Sequence, residues 1–268
     1  MMNSIIIAIP DNKFYMPIVQ NCDAVALQNN FTIIRTSEKH CAELLLNNRA
    51  DIALLSPLEY GLAVEQVDYR IIPATAVSGE GFTNIASIYF SPFLQTINTV
   101  AVPNPDDFIT IAGRLVLTEK FDIHTNLKQS SGSLDVLLNN ADAAILWNNN
   151  TLPPSSLDIT EEWLDAFDNP LPIAFWVCRP DELPDNITQI IHSFASSPFS
   201  AVQIIHDHDC DSPETHDNSY GEFREGTIYW QWSDQTEEWL DQTLDALFYH
   251  SYIPAIPAVK IFGQDAIE

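Results

Sequence analysis

Asn12 and Lys13 stand where an apolar run, Ser4–Ile9, gives way to polar sequence. They put a carboxamide and an ammonium beside the carboxyl end of a strand, a pairing able to hold a carboxylate. Ser56, Ser87 and Thr110 add hydroxyls at or near the ends of other apolar segments. Each of these residues also has a purely structural reading: loop solvation for Asn12 and Lys13, helix capping for Ser56, a locally satisfied hydroxyl for Ser87, and helix surface for Thr110. A different chemistry is suggested by His206-Asp207-His208-Asp209-Cys210 with His216 and Asp217, whose donors suit a divalent metal. That run matches no closed-site spacing and is acidic throughout. It reads as a solvated surface loop, and no metal is assigned. No hydrolase triad signature is present. With eight glycines in the whole chain there is no glycine-rich phosphate loop, and no cofactor is expected. Cys22, Cys41, Cys178 and Cys210 are widely spaced and read as reduced, buried thiols.

The charge narrows the partners. With 37 acidic and 11 basic residues, the 268-residue chain carries a formal charge of −26. Nucleic acid and anionic membrane surfaces are disfavoured, because both require a cationic face. A small-molecule ligand remains, and an anionic one must find local donors against the global field. No uninterrupted apolar stretch reaches the roughly 18–20 residues of a membrane span. The N-terminal apolar run lacks a basic flank and reads as a buried strand, so a cytoplasmic location is expected. The sequence leaves the oligomeric state open.

These residues need elements to position them. Strands are expected at Ser4–Ile9, Phe31–Thr36 and Asp51–Leu55, with helices over Glu38–Asn47 (capped by Ser37) and from Ser56-Pro57. That alternation means a parallel sheet with right-handed crossovers. Further strands are expected at Tyr69–Val77, Asn84–Ser91, Thr99–Val102, Ala143–Trp147 and Ile173–Cys178. Helices are expected over Pro105–Phe121, Leu134–Asn140, Leu183–Phe194 and Thr236–Tyr249, with a short one capped by Thr160. Trp163 and Trp176 read as core. The strands near Asn84–Ser91 and Ile173–Cys178 bracket a self-contained block. The expected fold class is therefore α/β with two lobes, residues 1–87 plus 178–268 and residues 88–177, and a ligand cleft between them.

Several segments, in order, resemble the chorismate dehydratase family of menaquinone biosynthesis by the futalosine route. They are Asp51–Tyr60, Tyr69–Pro73, Ser87–Ser91, Leu157–Trp163 and Leu171–Val177. The dihydroxynaphthoate synthases of the same route share the Leu171-Pro172 feature, but the Phe175-Trp176-Val177 ending resembles the dehydratases more. The resemblance implies the fold of type II periplasmic binding proteins. It also implies a lyase that converts chorismate to 3-(1-carboxyvinyloxy)benzoate and water. Asn12 would then be the catalytic candidate, and Lys13, Phe14, Ser56, Ser87, Phe108 and Thr110 the substrate-binding ones. Two departures stand out. Counting back from Pro17, Phe14 occupies the place of a family Asn. Phe108-Ile109 occupies that of a Thr-Ser pair opening the second lobe's first helix. A non-catalytic or repurposed binding protein with a less anionic ligand is the competing expectation.

Overall fold

The computed structural model describes residues 4–63, 65–92, 94–148, 152–153, 157–179, 183–207 and 224–264. His208, Asp209, Cys210, His216 and Asp217 of the histidine-rich run lie outside them. The chain divides into two compact units. Unit 1 comprises Met1–Ser78, Pro172–Val202 and Tyr229–Glu268; unit 2 comprises Gly79–Leu171 and Gln203–Ile228. The sequence suggested changes of lobe at 87/88 and 177/178. The compact units change over at 78/79 and 171/172, and residues 203–228 group with the second.

Unit 1 opens with strand β1 (Ile6–Pro10), a 3-10 turn (Lys13–Tyr15) and helices α1 (Met16–Val19) and α2 (Cys22–Asn29). Strand β2 (Thr32–Thr36), helix α3 (Glu38–Leu46), strand β3 (Ile52–Leu55) and helix α4 (Pro57–Leu62) follow. β1 pairs in parallel with both β2 and β3. All four residues of β3 are buried, as an apolar strand covered on both faces must be. α3 forms where expected. The Ser37 hydroxyl accepts from the His40 amide at 3.3 Å, and Cys41, Leu44 and Leu45 turn one face inward. α2 was not foreseen. Its apolar residues fall on all sides of the helix and make no stripe, and only Cys22 and Ala26 are buried. Strand β4 (Arg70–Gly81) runs past the unit boundary and is longer than its apolar core implied.

Unit 2 contains strands β5 (Ala86–Phe90) and β6 (Thr99–Val102), helix α5 (Phe108–Phe121), strand β7 (Asn126–Gln129) and helix α6 (Leu134–Leu138). Strand β8 (Ala143–Trp147), the two-residue strand β9 (Leu157–Asp158) and helix α7 (Ile159–Phe167) complete its central block. The sheet order is β7-β6-β8-β5-β9. β6 runs parallel to β7 and β8, while β5 is antiparallel to β8 and β9. Gly113, a poor helix former inside α5, has a packing reason. A Cβ there would lie 3.0 Å from Ile145 and 3.1 Å from Ile159, so a larger residue would make those side chains give way. α7 is capped by Asp158, not by Thr160 as expected: the Asp158 side chain accepts from the Thr160 and Glu161 amides.

The chain returns through strand β10 (Leu171–Cys178), whose eight residues are all buried. It pairs antiparallel with β3, Phe175 opposite Leu55. Helix α8 (Ile187–His192), strands β11 (Val202–His206) and β12 (Glu225–Gln231) and helix α9 (Asp234–Tyr249) follow. The seven-stranded sheet is ordered β11-β12-β4-β10-β3-β1-β2. α8 is shorter than the helix expected from Leu183, because its stretch of buried apolar residues begins at Ile187. In unit 1, α9 starts with a capping box at Ser233 and Thr236 and buries Leu240, Leu244 and Leu247. Trp176 is core, as expected, and its indole N–H donates to the Thr75 hydroxyl at 2.9 Å. The tail adds a parallel bridge from Ile261 to Ile71 and buries Ile253 and Ile261. Cys22, Cys41 and Cys178 are buried free thiols. No described helix is long and apolar enough to cross a membrane.

Candidate functional site

In unit 1 the candidates cluster at the carboxyl end of β1. Asn12 precedes the 3-10 turn, and its Oδ1 accepts from the Phe14 amide at 3.0 Å. This Asx-type turn fixes the carboxamide and leaves its N–H₂ without a partner among the described residues. Lys13 is exposed beside it. Phe14 contributes an aromatic wall, its ring 5.4 Å from Trp230 and 5.7 Å from Tyr15. Ser56 is 1% exposed, and its hydroxyl accepts from the Glu59 amide at 3.4 Å, capping α4.

In unit 2 Ser87 is fully buried and belongs to a polar cluster that the sequence did not single out. Asn148 Nδ2 donates to Ser87 Oγ at 2.7 Å and to Asn84 Oδ1 at 2.6 Å. The Tyr89 hydroxyl donates to Asn148 Oδ1 at 2.7 Å. Burial pushes the Tyr89 phenol up to about 12, against a smaller opposing effect of the Ser87 hydroxyl, so it stays a donor. Below them lies Asp158, whose carboxylate also accepts from the Asn84 amide at 2.8 Å and the Thr160 hydroxyl at 2.7 Å. Full burial pushes Asp158 up to about 6, overcoming the Thr160 hydroxyl and the backbone donors. One signal could have revealed Asn148: it is the polar residue directly after the apolar strand Ala143–Trp147, at a carboxyl end where ligands gather.

Phe108 opens α5, where the sequence placed the departure from the family's Thr-Ser pair, but its side chain is 1% exposed and packs as core. Thr110 is not helix surface. It is 3% exposed, and its hydroxyl donates to the Asn104 carbonyl at 2.9 Å. The residue before the helix is Asp107, held at 2.5 Å by the Asn104 amide. Burial raises the Asp107 carboxyl, Asn104 opposes this, and the nearby Asp106 adds to it. The helix start therefore carries its own carboxylates.

Beside this cluster lies a groove of about 490 Å³, within unit 2, lined by Pro103, Gly132, Ser133, Leu134, Asp135, Leu146, Trp147, Leu152 and Pro153. It sits beyond the carboxyl ends of the parallel strands β6, β7 and β8. The Tyr89 hydroxyl reaches the Pro153 carbonyl at 3.3 Å and ties the polar cluster to the groove wall. Among the described residues no group of His, Cys, Asp and Glu side chains could hold a metal.

Comparison with known proteins fits this architecture. The periplasmic aliphatic sulphonate binding protein SsuA from Escherichia coli is 10% identical, with a TM-score of 0.58 over 96% of each chain. Protein AF1704 from Archaeoglobus fulgidus is 15% identical, with a TM-score of 0.53 over 70% of this chain and 72% of its own. The fold is the α/β fold of type II periplasmic binding proteins, as expected. No curated protein matches the chain significantly. A family model described as menaquinone biosynthesis matches residues 6–208, and by that match the chain belongs to the menaquinone biosynthesis family.

Proposed function

We propose that this protein is a chorismate dehydratase-like lyase of menaquinone biosynthesis, working in the cytoplasm without a cofactor. The observation that carries the reading is the Asn12–Lys13 pair. Among the candidate residues, Asn12 alone has a preset amide N–H₂ left to give, and an exposed ammonium lies next to it. In the reaction, chorismate loses the ring proton beside the enolpyruvyl ether and the ring hydroxyl, which leave together as water, and the ring becomes aromatic. Aromatisation supplies the driving force. The protein must orient a dianion and favour the charge that develops as the C–H bond breaks. In this reading Lys13 offsets one carboxylate and Asn12 donates to the reacting ring's substituents, with Phe14 against the ring face. Purified protein incubated with chorismate should release the aromatic product, followed by ultraviolet absorbance. Asn12→Ala should cut turnover at least about 100-fold, the scale of losing one preorganised donor, while the lost turn bond to the Phe14 amide costs only about 1 kcal/mol of stability. Absence of turnover together with absence of a chorismate-induced thermal shift would end this reading.

A second reading, a repurposed binding protein with a less anionic ligand, draws support from unit 2. There Ser87 and Thr110 already have partners, Phe108 is core, and Asp107 stands at the start of α5. An anion at that helix end would meet carboxylates where it needs donors.

A further inference from the structure

We propose that Trp230 is a positioning residue for Asn12: it seats the Phe14 ring and so fixes the turn from which the Asn12 carboxamide donates. This rests on the lyase reading and deepens its unit 1 site. The carboxamide is oriented by one bond, from the Phe14 amide to Asn12 Oδ1 at 3.0 Å. Movement of the Phe14 backbone therefore swings the Asn12 N–H₂, the group that the reaction uses. The loop is tied at its two ends. The Asp11 amide donates to the Thr36 carbonyl at 2.7 Å, and the Pro17 carbonyl accepts from the Ser196 amide at 2.8 Å. Between those ties Asn12 is part-exposed and Lys13 exposed, so their side chains do little to anchor the turn. Anchoring falls to the rings. Phe14 meets the edge of buried Tyr15 at 5.7 Å, and meets Trp230 at 5.4 Å with the planes 36° apart. Trp230 is a firm support. It is buried on β12, its amide donates to the Ala201 carbonyl at 2.8 Å, and the Trp232 amide donates to the Ala74 carbonyl at 2.9 Å. Trp230 also lies beyond residues 6–208, which the family model matches, and Phe14 stands where the resemblance implies an Asn. At that place this chain puts a ring with an aromatic support, and it carries the carboxamide at Asn12 instead. A displacement of about 1 Å at a reacting group can cost about 100-fold in rate, so a support for the turn acts on turnover.

The test is a double-mutant cycle in the full chain, read by chorismate turnover and by NMR of the Asn12 side-chain N–H₂, assigned by its loss in Asn12→Ala. Trp230→Leu should lower kcat at least about ten-fold and leave KM within about two-fold. The split arises because the Lys13 charge acts over a longer range than a hydrogen bond and tolerates a looser turn. Trp230→Phe keeps a ring against Phe14 and should restore most of the rate. Added to Asn12→Ala, Trp230→Leu should cost less than about two-fold more, since its effect passes through Asn12. A general loss of packing would instead lower turnover equally in both backgrounds. The heteronuclear NOE of Asn12 Nδ2 should be high in the unmodified chain and fall in Trp230→Leu. Phe14→Leu removes the same ring contact from the half-buried side and should lower that NOE too, which keeps the test open if Trp230→Leu does not fold. Full turnover by folded Trp230→Leu, an additive loss in Asn12→Ala, or an NOE unmoved by either ring substitution would overturn the proposal. If the unmodified chain does not turn over chorismate, the lyase reading fails by itself, and the NOE still decides whether Trp230 positions Asn12.

Discussion

Asp158 is the residue whose chemistry departs furthest from its type. It is wholly buried, it caps α7, and burial holds its carboxyl at about 6. The sign of its effect on stability follows from linkage. Below about pH 4 the carboxyl is protonated in both folded and unfolded chains. Between about 4 and 6 the unfolded chain has lost that proton while the folded chain keeps it, so this residue makes stability fall as pH rises. Above about 6 its contribution is flat. The full span is about 3 kcal/mol, from the usual 1.36 kcal/mol per pH unit. Asp158→Asn should flatten the pH dependence of urea midpoints between pH 4 and 6.5, and an unchanged slope would remove Asp158 as its source. Ser56 makes a simpler case. Its hydroxyl is spent on capping α4, so Ser56→Ala should cost about 1 kcal/mol in stability. In a chorismate assay it should leave turnover per folded molecule nearly intact. Asn12 and Ser56 looked equivalent in the sequence as polar residues at strand ends. What separates them is where each side-chain oxygen and hydrogen goes, and that depends on local turns that residue type does not encode. Asn148 was hidden for a related reason: its side-chain partners Asn84, Ser87 and Tyr89 come from β5 and the turn before it, far from Asn148 in sequence.

At the scale of elements, periodicity carried well wherever burial is one-sided or complete. Thr99–Val102 and Ala143–Trp147 are strands with the expected ends, and α3 and α9 form where helices were expected, α9 burying Leu240, Leu244 and Leu247 but leaving Phe248 exposed. It failed where apolar residues make no single face, as in α2, or are scarce, as in β7, whose four residues include none that is buried. Gly113 shows a local signal overruled by packing. Gly113→Val should force α5 away from Ile145 and Ile159 and destabilise by about 1–3 kcal/mol despite the better helix propensity of valine. A thermal melt of that variant distinguishes packing from propensity by the sign of the shift. On α9, Glu237, Asp241 and Asp245 recur at four-residue spacing. Burial raises the Glu237 and Asp241 carboxyls, and their acidic neighbours raise them further. Asp241→Lys should therefore raise the melting temperature, with the gain shrinking in high salt because these charges are partly exposed.

For the molecule as a whole, charge is the dominant physical fact legible from composition. At −26 the folded chain repels itself, so the melting temperature should climb between 10 mM and 500 mM sodium chloride. A flat response would mean that the charge is neutralised by bound cations, which dialysis against chelator would then reveal. The α/β fold class was readable from the alternation of strands and helices. The identity of the donors in unit 2 was not, because Phe108 and Ile109, which stand where the resemblance implies polar groups, are both buried.

Unit 1 is assembled from three separate stretches of chain, the last beginning at Tyr229. Within it, α4 needs α9: a Cβ on Gly61 would lie 3.3 Å from Leu244, and Ile253 closes on the same glycine. During synthesis α4 leaves the ribosome while α9 is still unwritten. At roughly 5–20 residues per second, the intervening chain takes about 10–35 s to make. Throughout that interval the apolar face of α4 has no native cover, so this protein depends during its own translation on whatever shields that face, and slowing elongation before Asp234 should raise the fraction lost to aggregation.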